Sequence, residues 1–587
     1  MTVLQNEDNY WSAWLQRWFY PLLAAGIIIN AAGLLLTILE PDGALYATIA
    51  KTMAQSGDFI NLKVAGKDWL DKPHFPFWIA ALSYRVFGIN SFAYKFPALL
   101  FWAMGGWYTW RLAFSFYGKT IAQLSVLIYL TAAHLVISNN DVRAEPYLVG
   151  LIAGSVYYYS RALQKTMSWQ LVAGSLLAAC AVMTKGPFVL ITIGAGFVID
   201  WLIKKDWKQL LHPRWWLALV LVAFFILPEL YCLYVQFDAA PQKVVFGHTG
   251  VSGLRFFFWD SQFGRFFNTG PIRGKGDPFF YFHTLLWAFL PWSLLLYAAM
   301  GRKIQAMSRE LRAAGGRGKR LTVHSSQLTT QPEYIFIGSV IITFLVFSLS
   351  RFQLPHYMNI LFPFFSILLA QYIGSVRKPA TLRAIRGVQY PVVVLLFILV
   401  LVVALFFRPP HLFMLFVFAG AVLSGALWWF VRKRRMVNGA RAITTGLTGV
   451  FGCSFAVAVL LYGFMNFFFY PELLHYQSGS EAAFYINGLP PGRPVGLLED
   501  NSYSFAFYLK APVHYWGPAD VRGAGGQVLV FTRRERLDSL AAEGLGVEIL
   551  RHFPHFHISQ LTGPFIDYRT RAGVTEDWVV ARVWPNH

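Results

Sequence analysis

Apolar runs of bilayer-spanning length follow one another through the first 470 residues, divided by short polar connections. A helix that crosses the hydrocarbon core needs about 20 mainly apolar residues. About 13 runs approach that length, near residues 19–39, 92–116, 119–138, 146–163, 169–184, 186–203, 215–235, 278–299, 334–350, 354–374, 388–407, 411–431 and 443–466. The first has no convincing cleavage site behind it and reads as a retained signal-anchor span. Two of the connections are long. In 40–91, Leu45, Ile49 and Met53 recur at i, i+4 and i+8 with Tyr46 and Ala50 beside them, an amphipathic helix. Residues Phe75 to Phe87 form a second apolar, aromatic stretch, too short to span. Both are predicted to lie along the membrane surface. The other long connection, 236–277, mixes aromatic and charged residues in the same way.

After about residue 470 the pattern changes. Short β-like runs appear at Val495 to Leu498, Val528 to Phe531, Val547 to Leu550 and Trp578 to Val583, with a helical stretch Arg536 to Glu543 among them. The expectation is a mainly α, polytopic membrane protein over 1–469 and a small α/β domain over 470–587, the latter without a catalytic motif.

Composition agrees. The chain is 56% hydrophobic and only 13% charged, against about 25% charged in soluble proteins. The net charge of +21 raises the question of nucleic acid. Its distribution answers it, because the basic residues stand in short clusters between apolar runs, such as Lys204, Lys205 and Lys208, or Arg432 to Arg435. That pattern orients a protein in a membrane. Arg161 with Lys165, Lys204 to Arg214, Arg302 to Arg320, Arg377 to Arg386 and Arg432 to Arg441 all fall in alternate connections. With an odd number of spans this predicts a cytoplasmic N-terminus and an outer C-terminal domain. The basic stretch 300–333 contains Gly315, Gly316 and Gly318 and receives no function. Cys180, Cys232 and Cys453 lie inside apolar runs, with neither metal-ligand nor disulfide spacing.

Charged residues near lipid are expensive and mark functional sites. Here they gather at the outer ends of the runs. Pro41-Asp42-Gly43 precedes the first amphipathic helix; Asp42 fits a helix N-cap and equally a general base for an acceptor hydroxyl. In Asp71-Lys72-Pro73-His74, Lys72 suits a lipid headgroup or the phosphate of a lipid-linked donor, where a cation stabilises the charge left on the departing oxygen. In Asn139-Asn140-Asp141-Val142-Arg143-Ala144-Glu145-Pro146, Glu145 before Pro146 is explained as a helix start. Asp141 is not, and is the stronger candidate of the two. Thr184-Lys185-Gly186-Pro187 reads locally as a helix end. Gly264-Arg265-Phe266 offers a guanidinium for phosphate. Arg351, His356 and Tyr357 share a very short outer hairpin, and Arg351 and His356 could both reach a phosphate.

These segments, in order, resemble the GT-C glycosyltransferases of the aminoarabinose transferase and protein O-mannosyltransferase superfamily, in its bacterial aminoarabinose-transferase-like branch. The carrying residues are Pro41-Asp42-Gly43-Ala44-Leu45-Tyr46, Trp69-Leu70-Asp71-Lys72-Pro73, Asp141-Val142-Arg143, Thr184-Lys185-Gly186-Pro187, Leu290-Pro291-Trp292-Ser293, and Leu349-Ser350-Arg351 through Leu354-Pro355-His356-Tyr357. The resemblance implies transfer of a hexosyl or pentosyl group from a polyprenyl-phosphate carrier to lipid A, a protein or another glycan, on the periplasmic side of the inner membrane. It implies catalytic roles for Asp42 and Asp141. Lys72 and Lys185 would hold the donor phosphate with Arg265 and Arg351, and Asp71, His74, Tyr46, His356 and Tyr357 would line the substrate site. Three departures stand out. Gly43 replaces the usual second acid, Asp71 and His74 alter the usual Glu-Lys-Pro-Pro, and Gln262 and Phe263 stand where a His precedes the Arg-Phe pair. A divalent metal held by Asp71 and His74 is therefore a weak expectation. The alternative, a lipid or anion transporter, predicts charges within spans and paired interrupted helices. The charges stand mostly at span ends, and no internal repeat is visible.

Overall fold

The structure is a computed structural model, and it describes residues 2–163, 168–315, 333–415, 417–422, 440–498, 500–524 and 526–585. The expected elements on Lys165, on Gly316 and Gly318, on Arg432 to Arg435 and on the later part of the run 411–431 lie outside the described residues.

The chain is mainly helical. It opens with α1 (Thr2–Ala31), α2 (Asp42–Ser56), a two-strand hairpin β1 (Lys63–Val64) and β2 (Lys67–Asp68), and α3 (Phe75–Phe87). There follow α4 (Ser91–Tyr117), α5 (Lys119–Leu130), α6 (Ala133–Asn140), α7 (Glu145–Ala162), α8 (Trp169–Lys185) and α9 (Val189–Lys204). Helix α7 packs between α4 and α8, and α9 against Ile335–Leu349. Among the described residues four helices are long and apolar enough to cross a bilayer: Trp11–Leu35, Pro355–Gly374, Pro379–Phe407 and Ile443–Tyr476. Two bent pairs raise this to six, α5 with α6 at 52° and Trp207–Phe225 with Leu227–Asp238 at 41°. The chain is thus a multi-pass membrane protein, and among its described residues some of the apolar runs are interrupted.

Apolar runs do not reveal such breaks. The run 278–299 is two helices, Phe280–Ala288 and Ser293–Gly315, parted by a turn at Phe289 to Trp292. The run 119–138 breaks at Thr131 and Ala132, where the Ala133 N–H leaves the helix to donate to the Leu290 carbonyl at 3.0 Å. Outward surfaces are apolar: Val394, Leu395, Ile398, Leu399, Val402, Leu405 and Phe406 on Pro379–Phe407 are all exposed. A water-facing helix would not present so continuous an apolar surface.

The C-terminal part forms one five-stranded sheet in the order β4-β3-β5-β7-β6, from β3 (Val495–Leu498), β4 (Val513–Trp516), β5 (Val528–Arg533), β6 (Leu545–His555) and β7 (Glu576–Pro585). β3 pairs parallel with β4 and β5; β7 pairs antiparallel with β5 and β6. Each face of the sheet has its own apolar cluster, one around Phe505, Phe531 and Trp578, the other around Leu537, Val579 and Val583. Four of the five strands coincide with apolar runs in the sequence. β4 does not, because His514 and Tyr515 at this edge are exposed.

Candidate functional site

Helix α2 begins at Asp42 itself, and the Asp42 side chain does not cap it. Its carboxylate turns instead to the Arg143 guanidinium, at 2.6 Å. Arg143 reaches Asp141 at the same time, through Nε at 3.0 Å and Nη2 at 2.7 Å. One guanidinium fork thus ties two carboxylates from different segments, a geometry lysine cannot supply. The loop that carries Asp141 and Arg143 is itself fastened. Tyr94 on α4 donates to the Val142 carbonyl at 2.9 Å, and Asn139 and Asn140 bond to Asn30 and Asn466 at 2.8 and 2.7 Å.

A second cluster surrounds Asp71. Lys72 Nζ lies 2.5 Å from one carboxylate oxygen, and Arg265 pairs with the other. Burial alone would raise the Asp71 carboxyl, but the two cations outweigh it and hold it at about 2. Burial draws the Lys72 ammonium below its usual value against the pull of Asp71. A third cluster pairs Lys185, the last residue of α8, with Glu145, the first of α7. His356 Nε2 stands 3.7 Å from the same Glu145 oxygen, and the Lys185 ammonium lies 3.8 Å from the centre of the Tyr357 ring. Gly186, at φ +111°, ends α8, and a Cβ there would meet Gln262 Nε2 at 2.2 Å. The positive φ of this turn requires glycine.

Two adjoining cavities use these groups. One of about 200 Å³ is polar, lined by Asp42, Tyr46, Trp69, Asp71, Lys72, Arg143, Glu145, Arg265, His356 and Tyr357 among others. The other, of about 440 Å³, is walled by Phe188, Ile191, Phe258, Phe263, Phe266, Phe267, Val346 and Phe347, with Lys185 at its side. Asp71, Lys72, Arg265, Phe352 and Tyr357 line both. Two buried atoms at this junction have no hydrogen-bond partner, Arg265 Nε and Glu145 Oε2.

Of the residues singled out in the sequence, Asp42, Tyr46, Asp71, Lys72, Lys185, Arg265, His356 and Tyr357 gather at this pair of cavities. Three are placed otherwise. Asp141 lines neither cavity and touches the site through Arg143. Burial raises the Asp141 carboxyl, with Arg143 opposing. Arg351 is exposed and lines neither cavity; its backbone N–H donates to the Phe266 carbonyl at 3.1 Å. His74 is fully buried away from the cavities, its Nδ1 3.0 Å from Glu229 and its Nε2 2.8 Å from the Ile60 carbonyl. That arrangement does not fit a metal at Asp71 and His74, since the oxygens of Asp71 are held by cations and both His74 nitrogens are engaged. Among the described residues no three His, Cys, Asp or Glu side chains group as metal ligands.

Arg143 and Glu145 are site residues that the sequence did not single out. Glu145 was hidden by its own good local explanation, the helix start before Pro146. The signal for Arg143 was its spacing, two residues beyond an acid that has no helix to cap.

Comparison with known proteins places the chain. A family model described as dolichyl-phosphate-mannose-protein mannosyltransferase matches residues 71–232. Over 353 residues the chain is 27% identical to the undecaprenyl phosphate-alpha-4-amino-4-deoxy-L-arabinose arabinosyl transferase of Enterobacter sp. (strain 638), covering 59% of this chain and 57% of that one. It is 28% identical over 344 residues to an uncharacterized protein of Aquifex aeolicus (strain VF5), covering 57% and 59%. The chain therefore spans somewhat over half the length of these curated relatives. The structure matches that of ArnT from Cupriavidus metallidurans bound to undecaprenyl phosphate with a TM-score of 0.70 at 16% identity, over 96% of this chain and 98% of that one, so the two share a fold. In ordered motifs, family match and fold, the chain is similar to the GT-C glycosyltransferases of the aminoarabinose transferase and protein O-mannosyltransferase superfamily, and within it to the bacterial aminoarabinose-transferase-like branch.

Proposed function

We propose that this protein is an integral-membrane glycosyltransferase that moves a sugar from a polyprenyl-phosphate carrier to an acceptor on the outer face of the inner membrane. The observation that carries the reading is the shared wall of the two cavities. An apolar cavity suits an isoprenoid tail, a polar one suits a sugar, and the Lys72 and Arg265 cations stand between them, where the linking phosphate must lie.

The acceptor oxygen attacks the anomeric carbon from the polar cavity, the bond from that carbon to the phosphate oxygen breaks, and the phosphate leaves with the electron pair. Asp42 takes the proton of an acceptor hydroxyl. Lys72, Lys185 and Arg265 stabilise the charge that grows on the phosphate, and Arg265 Nε is a donor still available to it. All three cations are already paired with carboxylates, so the phosphate competes with Asp71 and Glu145 for them. Asp141 acts by holding Arg143 against Asp42. Arg351 and His74 have no contact role in this scheme, and no metal takes part in it.

About 13 spans, a cytoplasmic N-terminus and a periplasmic C-terminal domain complete the reading, with α2 and α3 lying at the outer interface. The relatives named as arabinosyl transferases favour a pentose over a hexose, and the acceptor is lipid A, a protein or another glycan.

The test is transfer by the purified protein in nanodiscs, with undecaprenyl-phosphate sugars as donors and envelope lipids as acceptors, read by mass spectrometry. The wild type is expected to add one sugar mass. Asp42→Asn is expected to fold normally and to lose about 100-fold or more of that rate. Near-normal turnover of Asp42→Asn removes Asp42 as the base. Movement of the intact donor across the bilayer without transfer supports a transporter instead.

A further inference from the structure

The segment that delivers Asp42 to the site has no regular structure of its own. Between the end of the first membrane helix at Leu35 and the start of α2 at Asp42, the chain forms neither helix nor strand. Its backbone polar groups must be satisfied by other parts of the protein. Lys95, on α4, takes the membrane side: its buried ammonium donates to the carbonyls of Gly33, Leu36 and Thr37 at 3.0, 2.9 and 3.3 Å. The Leu39 carbonyl accepts from the Ala44 N–H of α2 at 3.0 Å, and Ile38 and Glu40 are held by the C-terminal part of the chain.

Gln477 is the centre of that contact. Its side-chain amide donates to the Ile38 carbonyl at 2.9 Å and accepts from the Glu40 N–H at 2.9 Å. One glutamine thus imitates a strand neighbour for Ile38 to Glu40, and it is 1% exposed. The Ile38 N–H donates to the Tyr508 hydroxyl at 2.7 Å. The Glu40 carboxylate accepts from the Ser502 hydroxyl at 2.8 Å and from the Ser504 N–H at 2.6 Å. Further along α2, Lys51 donates to the carbonyls of Ala506, Phe507 and Leu509 at 2.8, 2.9 and 2.7 Å. These are seven residues on two stretches of the C-terminal part, Gln477 and 502–509, all spent on Ile38, Glu40 and the helix that Asp42 starts.

We propose that the C-terminal domain is a working part of the transferase site, holding the Asp42 carboxylate in register through Gln477, which acts as a positioning residue. The inference rests on the transfer reading given above. Gln477 touches neither cavity, so it acts on the reaction only through where Asp42 sits. A misplacement of the order of 1 Å in a catalytic group is enough to lower turnover greatly without altering the donor pocket.

The experiment compares four full-length proteins in nanodiscs: wild type, Gln477→Ala, Gln477→Glu and His552→Ala. His552 lies in the same domain, in an exposed pair with Asp577 that involves neither Gln477 nor the Ile38 to Glu40 segment. Turnover, donor KM and melting temperature are measured for each. Gln477→Ala is expected to lower kcat by about 10- to 100-fold with donor KM within about twofold. Gln477→Glu keeps the acceptor for the Glu40 N–H and loses the donor to Ile38, so it is expected to fall between Gln477→Ala and wild type. It also carries the test should Gln477→Ala not fold. His552→Ala is expected to match wild type. A folded Gln477 variant with wild-type kcat, or one whose loss lies in donor KM, overturns the inference. A wild type that transfers no sugar contradicts the transfer reading instead, so the two failures are told apart.

Discussion

Asp42 stands in a site where no charge is alone. Arg143 holds it together with Asp141, Lys72 and Arg265 share Asp71, and Lys185 holds Glu145. Such pairing fixes side chains at the expense of desolvation, and it is tolerated in a buried site only when each partner stays in place. Gly43 shows how tight the arrangement is. A Cβ on Gly43 would lie 2.9 Å from Asp141 Oδ1 and 3.4 Å from the Ile38 side chain. A side chain cannot be accommodated here without moving Asp141. Gly43→Ala is therefore expected to lower transfer about tenfold by shifting Asp141 and Arg143, and to destabilise the fold by about 1–3 kcal/mol, the range for an overpacked position. Turnover and a melting curve of the purified variant check both. Legibility at this scale was uneven. Asp42 stands out as a charge at the end of an apolar run and Lys72 as a cation beside an acid and a Pro, whereas Lys185 reads locally as a helix end and only the resemblance singles it out. Glu145 could not be picked out, since a Glu followed by Pro at a helix start satisfies every local rule, and only the arrival of Lys185 from a segment 40 residues away reveals its second partner.

At the scale of elements, the acid-Lys-Pro loop is aimed by a buried pair. His74 follows Pro73 and is fastened to Glu229 through its ring and through its N–H, at 3.0 and 2.9 Å. Gln236 does for Leu62 what Gln477 does for Ile38 and Glu40, donating to its carbonyl at 2.9 Å and accepting from its N–H at 3.0 Å. The helix Leu227–Leu233 and its continuation to Asp238 thus set the position of the loop that presents Lys72. Burial alone would lower the His74 imidazole, but Glu229 outweighs it and raises it above the usual value. The raised value means the pair contributes stability fully below about pH 6.5, the ordinary histidine value, and loses it as pH rises through the folded value. Glu229→Ala leaves His74 buried without its partner and is expected to destabilise by about 3–5 kcal/mol. Thermal unfolding across pH 5 to 9 checks this: the wild type should weaken on the alkaline side, and the variant should lose that dependence. The sequence offers His74 as a substrate or metal ligand because it ends the Asp71-Lys72-Pro73-His74 motif. Its direction was not readable, since nothing local marks Glu229 as its partner 155 residues away.

For the whole molecule, the architecture was legible where hydrophobic pattern alone decides. The membrane helices and four of the five C-terminal strands follow from runs of apolar residues. The breaks inside runs did not, because Thr131 and Ala132 or Phe289 and Leu290 look as apolar as the helices they separate, and the tertiary contact that replaces the helical hydrogen bond is not a local property. The docking of the C-terminal domain was equally invisible. Gln477 and Ser502 are ordinary polar residues until the chain brings them to Ile38 and Glu40. What unites the molecule is the meeting of a lipid-sized apolar cavity and a polar one across Asp71, Lys72 and Arg265. The most direct test is an electron cryomicroscopy map of the protein in nanodiscs with undecaprenyl phosphate. The account predicts the phosphate within hydrogen-bond reach of Lys72, Lys185 and Arg265, with the isoprenoid chain running past Phe188 and Phe347. Density for the phosphate at any other place, or a tail that avoids that cavity, would contradict it.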